Sequence, residues 1–340
     1  MSFRNTFGHM FQLHTFGESH GPSMGLVIDG CPSGLKIDEA KIVKYLNRRR
    51  PGQNAFVTAR NESDDFKILS GIYESKTLGT PIAVEILNQD QKSADYAEVK
   101  PRKGHADQAW KDKFEHVDLR GGGRASGRET VSRVFAGAIA RQALEVLNPE
   151  LKIYVWIESV GPIKSKAQFK DFRLQFDNYL GLKTDLGFAD DSQLDVLKTM
   201  LEDAKSNGES YGGVIKVKIK GPNAGLGQPV FSKLKSDLAS ALFSIGAVQG
   251  INLGDSNVSL KGSEFHKLDQ PYGGIQGGIS TGQDIELEVL FKPTSSIQDV
   301  AKTGRHDPCI MPRALVVVES MIAMVLLDHT LLKRLDRLNI

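Results

Sequence analysis

The chain has 340 residues, 40% of them hydrophobic, and its 43 Lys+Arg nearly balance 41 Asp+Glu for a net charge of +2. This composition excludes disorder as the main state and lacks the strongly basic footprint of a nucleic-acid-binding domain, so any anion site must be local. Two cysteines, Cys31 and Cys309, are too few for a disulfide framework and stand in no metal-ligand spacing, which fits a reducing compartment and implies no structural metal.

The opening MSFRNTFGHM has no apolar stretch of the signal-peptide kind, so a cytoplasmic protein is expected. In chain order, residues 25–29 read as a strand and 38–49 as a helix closed by Arg48, Arg49 and Arg50. That basic end is either favourable charge at a helix C-terminus or part of a binding site. Residues 81–87 read as a strand. Ser126 opens a helix with Val131, Val134, Phe135 and Ala138 on one face, and 152–160 is a further strand. A helix follows Ser192, with Leu194, Leu197, Met200, Leu201 and Ala204 on one face, and stops at Gly208. Ile215, Val217 and Ile219 then alternate with Lys216, Lys218 and Lys220. After the helix that Ser232 opens, with Leu234, Leu238, Ala241, Leu242 and Ile245 on one face, Ile285, Leu287, Val289 and Phe291 alternate with Glu286 and Glu288. Period-two alternation marks strands with one wet face, which favours antiparallel sheets over a doubly wound parallel one. The last helix, about 312–335, is apolar nearly all round in its first half, as a helix buried on every side would be. Its longest apolar run, 314–327, contains Glu319 and is too short for a bilayer, so no membrane partner is expected. No repeat, low-complexity tract or linker divides the chain, so 1–340 is expected to form a single domain.

The most informative stretch is RGGGRASGRETVSR, 120–133. A glycine turn before a helix start can present free N–H groups to an anion, and Arg120, Arg124, Arg128 and Arg133 add charge beside it, so phosphate is the natural ligand. Ser126 and Glu129 have capping-box spacing. A capped helix with solvated arginines is the competing reading. Histidines in polar loops, His20 in GESHG, His105 in KGHAD and His306 in GRHDP, are candidates for proton transfer, and Asp307 for a base or an orienting carboxylate. GGIQGGISTG and KPTSS place glycine backbone and Lys292, Thr294, Ser295 and Ser296 where a phosphate or a polar ring edge could bind, or where a hairpin simply turns.

Together, GESHGPSMGLVIDGCP, GGRASGRETVSRVFAGAIA and GRHDPCIMPRALVVVES resemble the three signature blocks of the chorismate synthase family. RRRPG, ILSGIYESKTLGTPIAVEILNQDQKSADY, GHAD, GLGQPVF, GGIQGGIS and FKPTSSI extend the resemblance over 1–329. The resemblance implies an α+β fold, a β-α-β sandwich with core helices between antiparallel sheets, usually assembled as a homotetramer. It implies an anti 1,4-elimination that converts 5-enolpyruvylshikimate-3-phosphate to chorismate and phosphate in the shikimate pathway, on the way to aromatic amino acids. The reaction would need reduced FMN without net redox change. No segment looks like a built-in reductase, so a separate NAD(P)H-dependent flavin reductase is expected to supply it.

By the same resemblance, His20 protonates the departing phosphate, His105 holds or protonates the reduced flavin near N1, and Asp307, the carboxylate near flavin N5, is implicated in removing the C6 proton through the flavin. Ser19 and Ser126 support that site. Arg49, Arg50 and Arg133 bind substrate. Arg124, Ala125, Ser126, Gly246, Ala247, Gly277, Lys292, Pro293, Thr294, Ser295, Ser296 and Arg305 hold the flavin, and no metal is implied. A substrate with a phosphate and two carboxylates explains arginine clusters in a chain of near-zero net charge. Ala55, Gly246, Tyr272 and a short 297–304 loop depart from the usual family pattern. A non-catalytic phosphate- or flavin-binding paralogue is the alternative, and the intact His20, His105 and Asp307 argue against it.

Overall fold

A computed structural model of the chain describes residues 5–50, 63–89, 104–254, 259–269, 271–295, 297 and 307–338. Two antiparallel five-stranded sheets enclose a layer of helices. The first sheet contains β1 (Thr6–Phe7), β2 (Gln12–Phe16), β3 (Ser23–Asp29), β4 (Phe66–Ile68) and, after a small hairpin of β5 (Ile72–Tyr73) and β6 (Lys76–Thr77), β7 (Ile82–Leu87). Its order is β1-β2-β3-β7-β4. Met24, Leu26 and Ile28 of β3 and Ile82, Val84 and Ile86 of β7 point into the core, as the alternation requires.

The helices α1 (Glu39–Arg49), α2 (Asp107–Phe114) and α3 (Thr130–Leu147) precede the second sheet, whose first strands are β8 (Lys152–Val160) and β9 (Ile163–Lys164). A turn of helix, α4 (Phe169–Phe172), the short pair β10 (Phe176–Asp177) and β11 (Gly181–Leu182), and α5 (Leu194–Asn207) come next. Then follow β12 (Gly213–Lys220), α6 (Leu234–Phe243), β13 (Val248–Leu253), α7 (Gly262–Phe265), the hairpin β14 (Ile275–Gln276) and β15 (Ile279–Ser280), β16 (Ile285–Phe291) and α8 (Met311–Leu332). The second sheet runs β13-β16-β12-β8-β9. Its outer face is only partly wet: Lys218 pairs with Glu286, and Lys216 lies 3.2 Å from Glu158, but Trp156 and Tyr154 are covered by Phe169, Phe172 and Phe176 in a separate aromatic cluster.

In the middle layer α3 packs on β2 and β3, α8 packs on β8 and β12, and the two helices pack on each other. They approach so closely that a Cβ at Gly137 would lie 2.2 Å from the Cβ of Ser320. The helix α8 extends well past the expected apolar run because its charges are answered inside the protein: Glu319 by Tyr45 and Arg48, and Asp328 by the amides of His9, Met10 and Phe11 between β1 and β2. With its final turn (Met311–Leu335) it is long and apolar enough to cross a bilayer, but 89% of its apolar window is buried inside the protein.

Two expected helix starts are corrected. Asp190, not Ser192, caps the turn that leads into α5, accepting from the Ser192 amide at 3.1 Å. Ser232 caps nothing at α6; it has φ +52° and its hydroxyl lies 3.3 Å from His9 Nε2. In both cases the serine was adjacent to the start, and the flanking backbone decided which residue adopted the cap conformation.

Candidate active site

Residues Arg120–Ala125 form an irregular turn in which Gly121, Gly122 and Gly123 have φ of +58°, +87° and +51°. A Cβ at Gly121 would lie 2.4 Å from the His20 ring and 2.7 Å from Ser19 Oγ, so glycine here is what lets that loop rest against the turn. Ser19 donates to the Arg120 carbonyl at 3.3 Å, and both Ser19 and His20 are buried.

The expected capping box is not formed. Ser126 accepts from the Arg128 amide at 3.3 Å and caps a short 3-10 turn, Gly127–Glu129, while α3 begins only at Thr130. The Glu129 carboxylate turns instead to Arg133 one helical turn on, at 2.9 Å, because an ion pair with a guanidinium outweighs a bond from a neutral amide. The arginines of this stretch are not open point charges either. Arg120 holds Asp118 at 2.7 Å and keeps that carboxyl below the usual range. Arg124 reaches Thr15 Oγ1 at 2.6 Å and the Gly17 carbonyl at 3.1 Å. Arg128 is buried on Asp64 and Asn88, and Arg133 also donates to Ser244 at 2.5 Å.

The basic end of α1 is likewise not a solvated helix terminus. Arg49 is 2% exposed and binds Asp64 at 2.5 Å, and Arg128 binds the other oxygen of the same carboxylate. Burial would raise the Asp64 carboxyl, but the two guanidiniums outweigh it and hold it below the ordinary value. Burial also pulls Arg49 down to about 10 despite Asp64. Arg48 donates to Glu319 at 2.7 Å and Arg50 to Asn47 at 3.2 Å. Arg48, Arg50 and Arg313 meet around a cavity of about 190 Å³, also lined by Gly181, Thr184 and Leu315.

On the other side, His105 Nδ1 lies 2.5 Å from the buried Asp107 carboxylate. Ser295 donates to the Gly104 carbonyl at 2.7 Å, and Lys292 donates to Ser295 at 3.0 Å, so the His105 loop and the Lys292 segment are one unit. Thr294 Oγ1 donates to the Asp307 carbonyl at 3.4 Å. The Asp307 carboxylate accepts from Arg313 at 2.6 Å, and Arg313 Nε donates to the Arg49 carbonyl at 3.2 Å. A continuous path therefore runs from the His20 loop through Asn88, Arg128, Asp64, Arg49 and Arg313 to Asp307, and on to the His105 loop.

A family profile described as chorismate synthase matches residues 11–331. The chain belongs to the chorismate synthase family. It is similar to the chorismate synthase of Bdellovibrio bacteriovorus, 48% identical over 98% of each chain, and to that of Parabacteroides distasonis, 42% identical over 97% of this chain and 98% of the other. Among solved structures it is similar to one titled "Crystal Structure of Chorismate Synthase", with a TM-score of 0.77 and 28% identity over 97% of this chain and 94% of that one.

Of the residues that the chorismate synthase resemblance singled out, the structure gathers Ser19, His20, Arg49, Arg124, Ala125 and Ser126 around the glycine turn and the Asp64 hub. It joins His105, Lys292, Pro293, Thr294, Ser295 and Asp307 in a second group. Ala247, at φ +71°, accepts from the Lys292 amide at 2.9 Å, which brings Gly246 to the same group. The backbone of the Gly277 hairpin is anchored to Leu234 and Leu226. A Cβ at Gly246 or Gly277 would meet nothing within 4 Å. Ser296 and Arg305, like Ala55 and His306, lie outside the described residues. Sequence reasoning missed Asp64, Asn88 and Arg313. Arg313 stands in the quoted PRALVVVES block, but nothing in the spacing of the three acidic residues of NESDD could have marked Asp64. Among the described residues no His/Cys/Asp/Glu cluster could hold a metal, and burial pushes the Cys31 and Cys309 thiols up to about 12.

Proposed function

We propose that the chain acts as a carbon–oxygen lyase on 5-enolpyruvylshikimate-3-phosphate, breaking the C3–O bond and the C6–H bond to give chorismate and phosphate. The observation that carries this reading, in a member of this family, is the continuous path joining the His20 loop to Asp307. It puts an acid for the leaving group and a carboxylate for the C6 proton into one polar framework. In balance, the C6–H electron pair forms the C1=C6 double bond, the C1=C2 pair shifts to C2=C3, the phosphate departs with the C3–O pair, His20 donates a proton to the leaving oxygens, and the C6 proton ends on Asp307. Asp107 fixes the His105 ring through Nδ1 and so aims its other nitrogen. Arg313 orients the Asp307 carboxylate. The cavity of Arg48, Arg50 and Arg313 suits the substrate's anionic groups, with Arg50 and Arg313 better placed than the buried Arg49.

The cofactor in this reading is reduced FMN. The Lys292 ammonium beside the Thr294 and Ser295 hydroxyls, with open space at Gly246, is a donor set that fits a phosphate or an electron-rich ring edge. When bound, a reduced flavin supplies transient electron density that weakens the C3–O bond. Arg124, Ala125 and Ser126 would hold it from the glycine turn, and Arg133 would bind substrate from the first turn of α3. The reading takes 1–340 as a single domain, supported by one apolar core from Phe11 to Leu331, in a cytoplasmic homotetramer served by a separate flavin reductase.

The test is an anaerobic assay with this substrate and photoreduced FMN, following chorismate absorbance and phosphate release together. Equal appearance of both, absent with oxidised FMN, is the expected result. Flavin binding without product would leave a binding protein, and turnover with NADPH as sole reductant would remove the separate reductase.

A further inference from the structure

We propose that Asp64 is a positioning residue for this elimination: its carboxylate, clamped between Arg49 and Arg128, sets the loop of His20 and the carboxylate of Asp307 at their working separation. This rests on the reaction proposed above.

Asp64 touches neither His20 nor Asp307, yet each of its two guanidinium partners leads to one of them. On one arm, Arg128 Nε donates to Asn88 Oδ1 at 2.9 Å, and the Asn88 amide donates to the carbonyls of Glu18 and Gly21 at 3.1 and 2.8 Å. Those carbonyls flank Ser19 and His20 on both sides, so the loop is gripped at its base. The Arg128 amide also donates to Ser126, which ties the same arm to the glycine turn. On the other arm, the Arg49 carbonyl accepts from Arg313 Nε at 3.2 Å, and Arg313 Nη1 holds Asp307 at 2.6 Å. Asp64 itself is 3% exposed and has φ +53°, a conformation that non-glycine residues avoid unless the surroundings impose it.

The burial of Arg49 and Arg128 decides how Asp64 acts. Both side chains are spent on the carboxylate inside the protein rather than offered to substrate. Neutralising Asp64 would leave two buried, mutually repelling cations and release both arms from their common anchor. Of the arginines that line the substrate cavity only Arg313 lies on an arm, and Asp307 still holds its guanidinium, so turnover suffers more than affinity, as it does when reacting groups are misplaced by a fraction of a bond length. A merely structural Asp64 would alter the melting temperature and leave kcat per folded molecule untouched.

The experiment compares the full-length chain with Asp64→Asn, Asp64→Glu, Asn88→Ala and the double variant Asp64→Asn/Asn88→Ala. The anaerobic assay is run with photoreduced FMN well below each melting temperature, and rates are expressed per folded chain. Asp64→Asn is expected to lower kcat about 10- to 100-fold with KM moved less than about threefold, and Asp64→Glu to recover part of the loss by restoring the charge. Asn88→Ala, which cuts one arm while leaving the Asp64 carboxylate and its two ion pairs in place, is expected to lower kcat as well, and the double variant to be no slower than Asp64→Asn alone. Folded Asp64→Asn with wild-type kcat, a loss confined to KM, or fully multiplicative losses in the double variant would overturn the proposal. If Asp64→Asn does not fold, Asn88→Ala decides alone, and a wild-type kcat there overturns it. A wild-type chain without turnover refutes the elimination itself, a result distinguishable from all of these.

Discussion

Two carboxylates sit at the centres of two buried ionic hubs, and both are 3% exposed. Glu319 accepts from the Tyr45 hydroxyl and from Arg48 at 2.7 Å, with Arg141 at 3.9 Å. Asp64 accepts from Arg49 and Arg128. The chemistry is nearly the same, but the elements joined are not. The Glu319 hub links α1, α3 and α8, helices that already pack against one another; the Asp64 hub links the end of α1 with the turn before α3 and, through Asn88, with the His20 loop. A buried ion pair between packed helices adds to an arrangement that apolar contacts already define. The same pair between loops does more to set the arrangement, because loops lack the packed apolar faces that hold helices together.

The largest expected effect is on stability, at Glu319. Removing one member of a buried ion pair leaves its partners charged and desolvated, so Glu319→Ala should cost about 3–5 kcal/mol in urea unfolding. Turnover per folded chain should fall far less than for Asp64→Asn. Urea midpoints and kcat measured on the same preparations check this, and a Glu319 variant of wild-type stability would break the comparison between the hubs.

Two glycines sharpen it next. At Gly121, alanine would carry about 1–2 kcal/mol of left-handed backbone strain and press its methyl on the His20 ring, so a large loss of kcat should accompany a modest loss of stability. At Gly137, alanine would strike Ser320 where α3 crosses α8, and overpacking of about 1–3 kcal/mol should appear with kcat nearly unchanged. Paired melting curves and kinetics separate the two cases; equal kinetic losses at both sites would mean that loops and helix layer are not independent.

Much of the fold was readable because periodicity is a long-range average. The alternation around Ile215 and Ile285 and the all-apolar face of α8 survive any local exception. Caps were not readable to the residue: Ser192, Ser232 and the Ser126/Glu129 pair had the right side chains, but backbone dihedrals and a nearby Arg133 decided otherwise. The glycine turn and the histidine loops announced themselves through unusual local composition. The two hubs did not. Glu319 was read as an interruption of an apolar run, although a charge in such a run is a signal that a buried partner exists. Asp64 gave no signal, because its partners are distant in sequence and each was read as a substrate ligand or an open charge.

Two smaller effects concern acid. The Asp64 carboxyl is held below its ordinary value in the folded state, so its contribution to stability is complete above about pH 4 and is lost as pH falls through the folded value. The stability difference between wild type and Asp64→Asn should therefore shrink as urea titrations move from pH 7 toward pH 3. A difference that stays constant would mean the carboxylate charge is not what Arg49 and Arg128 require.

The smallest effect is at Asp190, and it shows what the arginines add. This carboxylate is also buried, but its partners are neutral: the Ser192 hydroxyl at 2.6 Å, the Ser192 and Lys166 amides at 3.1 and 2.9 Å, and Gln193 at 2.8 Å. Hydrogen bonding, led by Ser192, holds its pKa down to about 2, so the sign of its acid dependence matches that of Asp64. Removing it strands dipoles that water can reach or that can turn, not buried cations. Asp190→Ala should therefore cost only about 1–2 kcal/mol, the ordinary loss of a helix cap, with kcat unchanged. If it costs as much as Glu319→Ala, burial of the carboxylate itself matters more than the guanidiniums left behind. The contrast between neutral and ionic partners would then have to be abandoned, and with it the reason for expecting the two ionic hubs to differ from any other buried acid.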